Sequence, residues 1–269
     1  MTRTRLTLAV VLALAFPLSG WAQESDGAWG GRAFVNFNAG VQTASPNFRY
    51  QYSTVLFDEM ARAGIDIPGK TGMTFDVGGG VRLVQNLGVG VTYSRYSKER
   101  TATLSTTIPS PFDYGQASTI ERQLPLQREE DAVHFQAIYR IPITNKVHVG
   151  VFGGPSYFRC LDDVVSQFAL GVDSFFPAWA VNFSDVTQTV DKESVWGYHG
   201  GVDVTYLFTR RFGVGTTMRY SRASHHSTNH FADTGDLFYD GVWGGGNATE
   251  TVTMDHGGFH WNGGVNLRF

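Results

Sequence analysis

Phe259-His260-Trp261-Asn262-Gly263-Gly264-Val265-Asn266-Leu267-Arg268-Phe269 ends the chain and reads as two interleaved sets of residues. Phe259, Trp261, Gly263, Val265, Leu267 and Phe269 alternate with His260, Asn262, Gly264, Asn266 and Arg268. Successive side chains of a strand point to opposite faces, so an extended backbone here carries one greasy face and one polar face. Phe259 and Phe269 lie ten residues apart, roughly 23 Å along a strand tilted by about 45°. That is close to the ~25 Å apolar band between the aromatic girdles of a membrane barrel.

The same alternation recurs upstream, over 33–42, 73–83, 87–94, 133–141, 196–208 and 212–220. It is less regular over 147–157, where Phe152 intrudes on the polar face. These segments make eight strands. Gln85-Asn86, Thr144-Asn145 and Thr209-Arg210 join three strand pairs as tight turns. The other four connections, 44–70, 102–126, 161–187 and 224–249, are far longer than a hairpin loop. Short turns on one side and long connections on the other predict an all-β chain: an eight-stranded antiparallel transmembrane β-barrel with short periplasmic turns and four long extracellular loops. An even strand number places both termini in the periplasm. Phe208, Phe212 and Phe269 would mark one membrane edge; Trp196, Tyr157, Tyr220 and Phe259 would mark the other. Glycines on the polar face, as in Leu87-Gly88-Val89-Gly90-Val91, suit a narrow interior.

Composition agrees with this reading. Of 269 residues, 42% are hydrophobic, 14% aromatic and only 17% charged, with 32 Gly and one Cys. A mean hydropathy of −0.15 does not argue for solubility, because alternation and polar loops dilute a barrel's apolar residues. Met1 to Ala22 has Arg3 and Arg5, an apolar run from Leu6 to Phe16, Pro17, and Gly20-Trp21-Ala22. It reads as a cleaved secretory signal, which leaves 23–269 as the barrel domain. Removing it takes the net charge from −3 to −5, against nucleic acid as a partner. Cys160 is alone, so no intrachain disulfide is expected.

Val265-Asn266-Leu267-Arg268-Phe269, with its aromatic carboxyl terminus, resembles the C-terminal signal of bacterial outer-membrane barrels. The mature chain is similar to the small eight-stranded outer-membrane superfamily of the OmpA and OmpX types. The resemblance implies a place in the bacterial outer membrane, contact with its lipid and lipopolysaccharide, and recognition of Phe269 by the insertion machinery. It does not choose among stabilisers, adhesins, conduits and lipid-modifying enzymes, since fold does not fix function.

Three groups of residues are candidates for chemistry. The inward face carries Asp76, Arg82, His134, Arg140, His148, His199, Asp203, Arg219, His260 and Arg268, read as a paired polar filling of a lumen too narrow for an open pore. Ser224-His225-His226-Ser227-Thr228-Asn229-His230 contains a His-x-Ser element similar to that of outer-membrane lipid A deacylases. With Asp233, Asp236 or Asp240 as the acid, it could act as a hydrolase through His225 and Ser227. His225, His226, His230 and His256 could alternatively bind a transition metal. The connection 161–187 is strongly apolar, and Phe175, Phe176 and Trp179 could contact a hydrophobic ligand. The expectation is a non-enzymatic barrel, without cofactor or metal, that supports membrane integrity and surface interaction through its loops. The alternatives are a narrow conduit or binding site for small hydrophobic molecules, and an outer-leaflet lipid A hydrolase.

Overall fold

A computed structural model describes residues 29, 31–43, 48–110, 112–175, 178–231 and 248–269. The expected signal segment, 1–22, lies outside the described residues. Among the described residues ten strands follow in order: β1 (Ala33–Gln42), β2 (Phe48–Leu56), β3 (Glu59–Ile67), β4 (Gly72–Val84), β5 (Leu87–Pro109), β6 (Ala117–Pro142), β7 (Val147–Phe175), β8 (Ala178–Leu207), β9 (Phe212–Phe231) and β10 (Ala248–Arg268). Eight of them close a ring in the order β1-β4-β5-β6-β7-β8-β9-β10, with every neighbour antiparallel. Closure is sealed by β1 on β10, with Val35 opposite Leu267 and Val41 opposite Trp261. A closed ring leaves no unpaired backbone edge, which is what a barrel in hydrocarbon requires.

The alternation read from the sequence sets the two faces of the wall. Phe37, Phe75, Val89, Val91, Phe135, Tyr139, Val151, Val202, Met218 and Val265 all lie exposed on the outside. Asp76, His134, Arg140, His148, His199, Arg219, His260 and Arg268 are buried within. An apolar exterior around a polar interior is the surface of a bilayer-spanning barrel. Its aromatic edges fall where expected: Phe208, Phe212 and Phe269 are exposed at the end with the short turns, and Trp196, Tyr157, Tyr220 and Phe259 at the other. We call these the turn end and the hairpin end.

At the hairpin end the long connections are largely strand. β5 and β6 stay paired up to Pro109 opposite Ala117, and β7 and β8 up to Phe175 opposite Ala178. The connection 44–70 holds the additional hairpin β2–β3, turned at Phe57 and Asp58, which both have positive φ (52° and 61°). Two such residues in succession fit the tight turn that matches strand twist. β3 takes the place of β4 beside the upper part of β5, from Asp66 opposite Thr103 to Arg62 opposite Thr107.

The alternation also changes sign along the strands. On β5, polar Thr92 and Ser94 face inward within the band, whereas above it the buried face is mainly apolar, with Ala102, Leu104 and Ile108 beside Thr106. On β6, Leu124 and Leu126 are buried above the inward-facing His134 and Gln136. Ile65, Ile67, Ala102, Leu104, Leu124, Leu126 and Val165 form one apolar core, with Phe183 and Val186 packed against it. The hairpin end therefore has a polar outer face and its own hydrophobic interior, continuous with a membrane segment built the opposite way round.

Candidate functional site

The lumen is filled in layers. At the turn end, Trp29 precedes β1 and is 1% exposed. Its indole Nε1 donates to the Asn86 carbonyl at 3.0 Å, and its own carbonyl accepts from Arg268 Nη1 at 2.9 Å. The ring packs with Phe34, Ile138 and Phe152. Gly88 makes room for it, since a Cβ there would run into the indole. Above this plug lies a cavity lined by Asn36, Asp76, Arg140, Asp203 and Arg219 among others. Gly150 again leaves space, here for the Asp203 carboxylate.

The next layer is a buried hydrogen-bonded network. Ser94 Oγ is 2.9 Å from His134 Nε2, His134 Nδ1 is 2.8 Å from Ser156 Oγ, and Ser156 Oγ is 2.9 Å from His199 Nδ1. Across the lumen, Ser221 Oγ is 2.9 Å from His260 Nε2. Arg219 Nη2 donates to Asp76 Oδ1 at 3.1 Å, and Asn262 Nδ2 donates to Asp76 Oδ2 at 2.6 Å. A charge in so narrow a lumen needs such partners.

A charged layer sits where the alternation changes sign. Arg100 Nη2 lies 3.1 Å from Asp162 Oδ1, and Arg128 pairs with Glu130 and with Asp162 at 3.6 Å. Glu130 also accepts from Gln42 Nε2 at 2.9 Å and from the Gly257 amide at 3.2 Å. Gly257 holds a φ of +88°, which a side chain would strain. Burial would raise the Glu130 carboxyl, but Arg128 and His256 overcome it and hold the group well below the usual carboxylate range. Burial, with Glu130 and Asp162 beside it, pushes the Cys160 thiol up, leaving it inert. Outside the wall at this height, Arg95 pairs with Glu129 and Arg222 with Asp255.

The His-rich segment is strand, not loop, as far as Phe231. His225 turns into the lumen, with Nδ1 2.8 Å from His256 Nε2 and the two rings stacked. His256 Nδ1 lies 2.9 Å from Arg128 Nη2. Ser227 is opposite Val252 and His226 opposite Thr253; the side chains of Ser227, His226 and His230 lie outside the described ones, as do residues Asp233, Asp236 and Asp240. Among the described residues, no group of three His, Cys, Asp or Glu has the geometry to hold a metal. Phe175 and Trp179 sit at the tip of the β7–β8 hairpin, where Phe175 pairs with Ala178 and Ser174 with Trp179; Phe176 lies outside the described residues. The sequence reading missed Trp29, Arg100, Arg128, Glu130 and Asp162. Arg128 and Glu130 share the parity of the inward-facing His134, so continuing the alternation past Val133 would have found them.

Neither a family model nor a curated protein matches this chain. Solved structures of small outer-membrane barrels resemble it in part. They include OprG of Pseudomonas aeruginosa (11% identity, 91% of this chain and 99% of that one, TM-score 0.48) and Neisserial surface protein A (14%, 88% and 97%, TM-score 0.40). Outer Membrane Protein W of E. coli is similar at 14% identity over 89% of this chain and 98% of its own, with TM-score 0.33.

Proposed function

We propose that the chain is a non-enzymatic bacterial outer-membrane barrel that anchors a rigid β-structure at the cell surface and adds to membrane integrity. The observation that carries this reading is the filled lumen, from the Trp29 plug to the Arg100–Asp162 and Arg128–Glu130 layer. Above it stands a packed apolar core. A barrel so filled presents its hairpins rather than a passage. On this reading the short turns and both termini lie in the periplasm, and the β2–β3, β5–β6 and β7–β8 hairpins face outward. Lipid and lipopolysaccharide surround the apolar band, and Phe269, exposed at the turn end, is read by the insertion machinery. The His225 ring engages His256 inside the barrel, which favours the non-enzymatic reading.

The test is twofold. Purified protein in planar bilayers should give no stepwise conductance, and cysteines placed at Thr107 or Val190 should react with an impermeant maleimide on intact cells. Stable channel openings, or labelling only after the outer membrane is broken, would overturn the reading.

A further inference from the structure

The cavity above Trp29 has an electrostatic imbalance. Its volume is about 30 Å³, room for one or two water-sized occupants. Arg140 and Arg219 line it together with Asp76 and Asp203. Arg268, fully buried, joins them through Asn266, whose Oδ1 accepts from Arg268 Nε at 3.4 Å. Two guanidinium groups and two carboxylates thus line the cavity, and Arg268, behind Asn266, adds a third guanidinium to the layer. Asp76 is committed to Arg219 and Asn262. Asp203 accepts from Thr205 Oγ1 at 3.4 Å.

Arg140 lies near the Asp203 carboxylate but forms no ion pair or hydrogen bond with it, and Asp203 is shared with Arg268. Its Cζ lies 4.1 Å from the ring centre of Phe34 and 4.6 Å from that of Trp29. Aromatic faces attract the cation from above and below the guanidinium plane, but they supply no acceptor within it. Nε and Nη1 of Arg140 are buried without a hydrogen-bond partner, as are Nε of Arg219 and Nη2 of Arg268. Arg140 is 2% exposed, so bulk water cannot compensate. The site therefore has an excess positive charge, unmet planar donors and a space of ionic size.

We propose that this cavity binds one small monovalent anion, of halide or formate size, against the Arg140 guanidinium. Its single charge cancels the excess, and the small volume suits an occupant of that size. Because Arg140 stacks on Trp29 and Arg268 holds the Trp29 carbonyl, the anion completes the layer that seats the plug. It is a structural ligand of the turn end, not a transported one.

Crystals of the purified barrel grown in bromide should give an anomalous peak beside Arg140 and none in chloride. In micelles at constant ionic strength, replacing gluconate by chloride, bromide or formate should raise the unfolding midpoint of the wild-type protein in a saturable manner. Arg140→Met keeps a stem over Phe34 and Trp29 and should abolish that dependence while retaining heat-modifiable migration. A response to formate but not to halides would assign the site to a carboxylate; a response to both assigns it to any small anion. Ordered water beside Arg140 in crystals grown in bromide and in formate alike, or a midpoint indifferent to all three anions, would overturn the proposal. The crystal result stands even if the variant fails to fold.

Discussion

Two single residues test the layers of the lumen. Trp29 lies outside any strand, yet it is buried and hydrogen-bonded at both its indole and its carbonyl. Trp29→Ala leaves a cavity against Phe34, Ile138 and Phe152 and should cost about 3–5 kcal/mol, seen as a lower midpoint for loss of heat-modifiable migration. Glu130 anchors the charged layer, and Glu130→Gln leaves Arg100 and Arg128 to share Asp162 as their buried counter-charge. Removing one partner of a buried pair costs about 3–5 kcal/mol, so loosening should be concentrated around β6 and β10 in hydrogen exchange. Glu130→Gln with unchanged exchange there would show that the pairing contributes little.

His225 adds a pH dependence with a definite sign. Burial first, and the neighbouring His256 second, push its imidazole below the ordinary 6.5. Between that lowered value and 6.5 the unfolded chain binds more protons than the folded one, so stability rises with pH across this window. The contribution is fully present above 6.5 and is lost as pH falls through the lowered value. Ring-proton NMR should place the His225 midpoint below 6.5, and protease resistance of the β9–β10 hairpin should decline on acidification from pH 7 to pH 5. A midpoint at or above 6.5 would remove the argument.

At the scale of elements, the eight membrane strands were legible because period-2 alternation survives wherever one face meets lipid and the other a polar lumen. The extensions were not, since their alternation has the opposite sign. Thr101, Thr103, Ser105 and Thr107 outside and Ala102, Leu104 and Ile108 inside look like a polar loop when only a greasy outer face is sought. The β2–β3 hairpin was hidden for a different reason. Its turn uses Phe57-Asp58 rather than the Asn-Gly or Asp-Gly pair that announces such turns. The inward charges Asp76 and Arg219 were legible as a paired filling, though which would pair depended on register across distant strands; Arg140 instead stacks on Phe34 and Trp29 without an ion pair. If the upper core is a true core, Leu104→Asp should make the β5–β6 and β7–β8 hairpins sensitive to added protease, while the membrane strands still fold and migrate heat-modifiably. Loss of the whole barrel would instead mean that the two parts fold as one unit.

On the scale of the molecule, the change of sign divides one continuous wall between two solvents. The outer face of β5 carries Val89, Val91 and Tyr93 below the division and Thr103, Ser105 and Thr107 above it, with the Arg95–Glu129 pair between. The same substitution on that face should therefore have unlike consequences at two heights. Val91→Arg places a charge in hydrocarbon near the middle of the band, at about 2–4 kcal/mol, and should reduce folding into bilayers. Thr103→Arg, twelve residues further along the same strand and on the same face, enters water and should cost less than about 0.5 kcal/mol. Urea titration of folding into vesicles measures both. Equal penalties at the two positions would mean that the bilayer reaches past Arg95, and that the apolar core of the hairpin end sits within the membrane rather than above it.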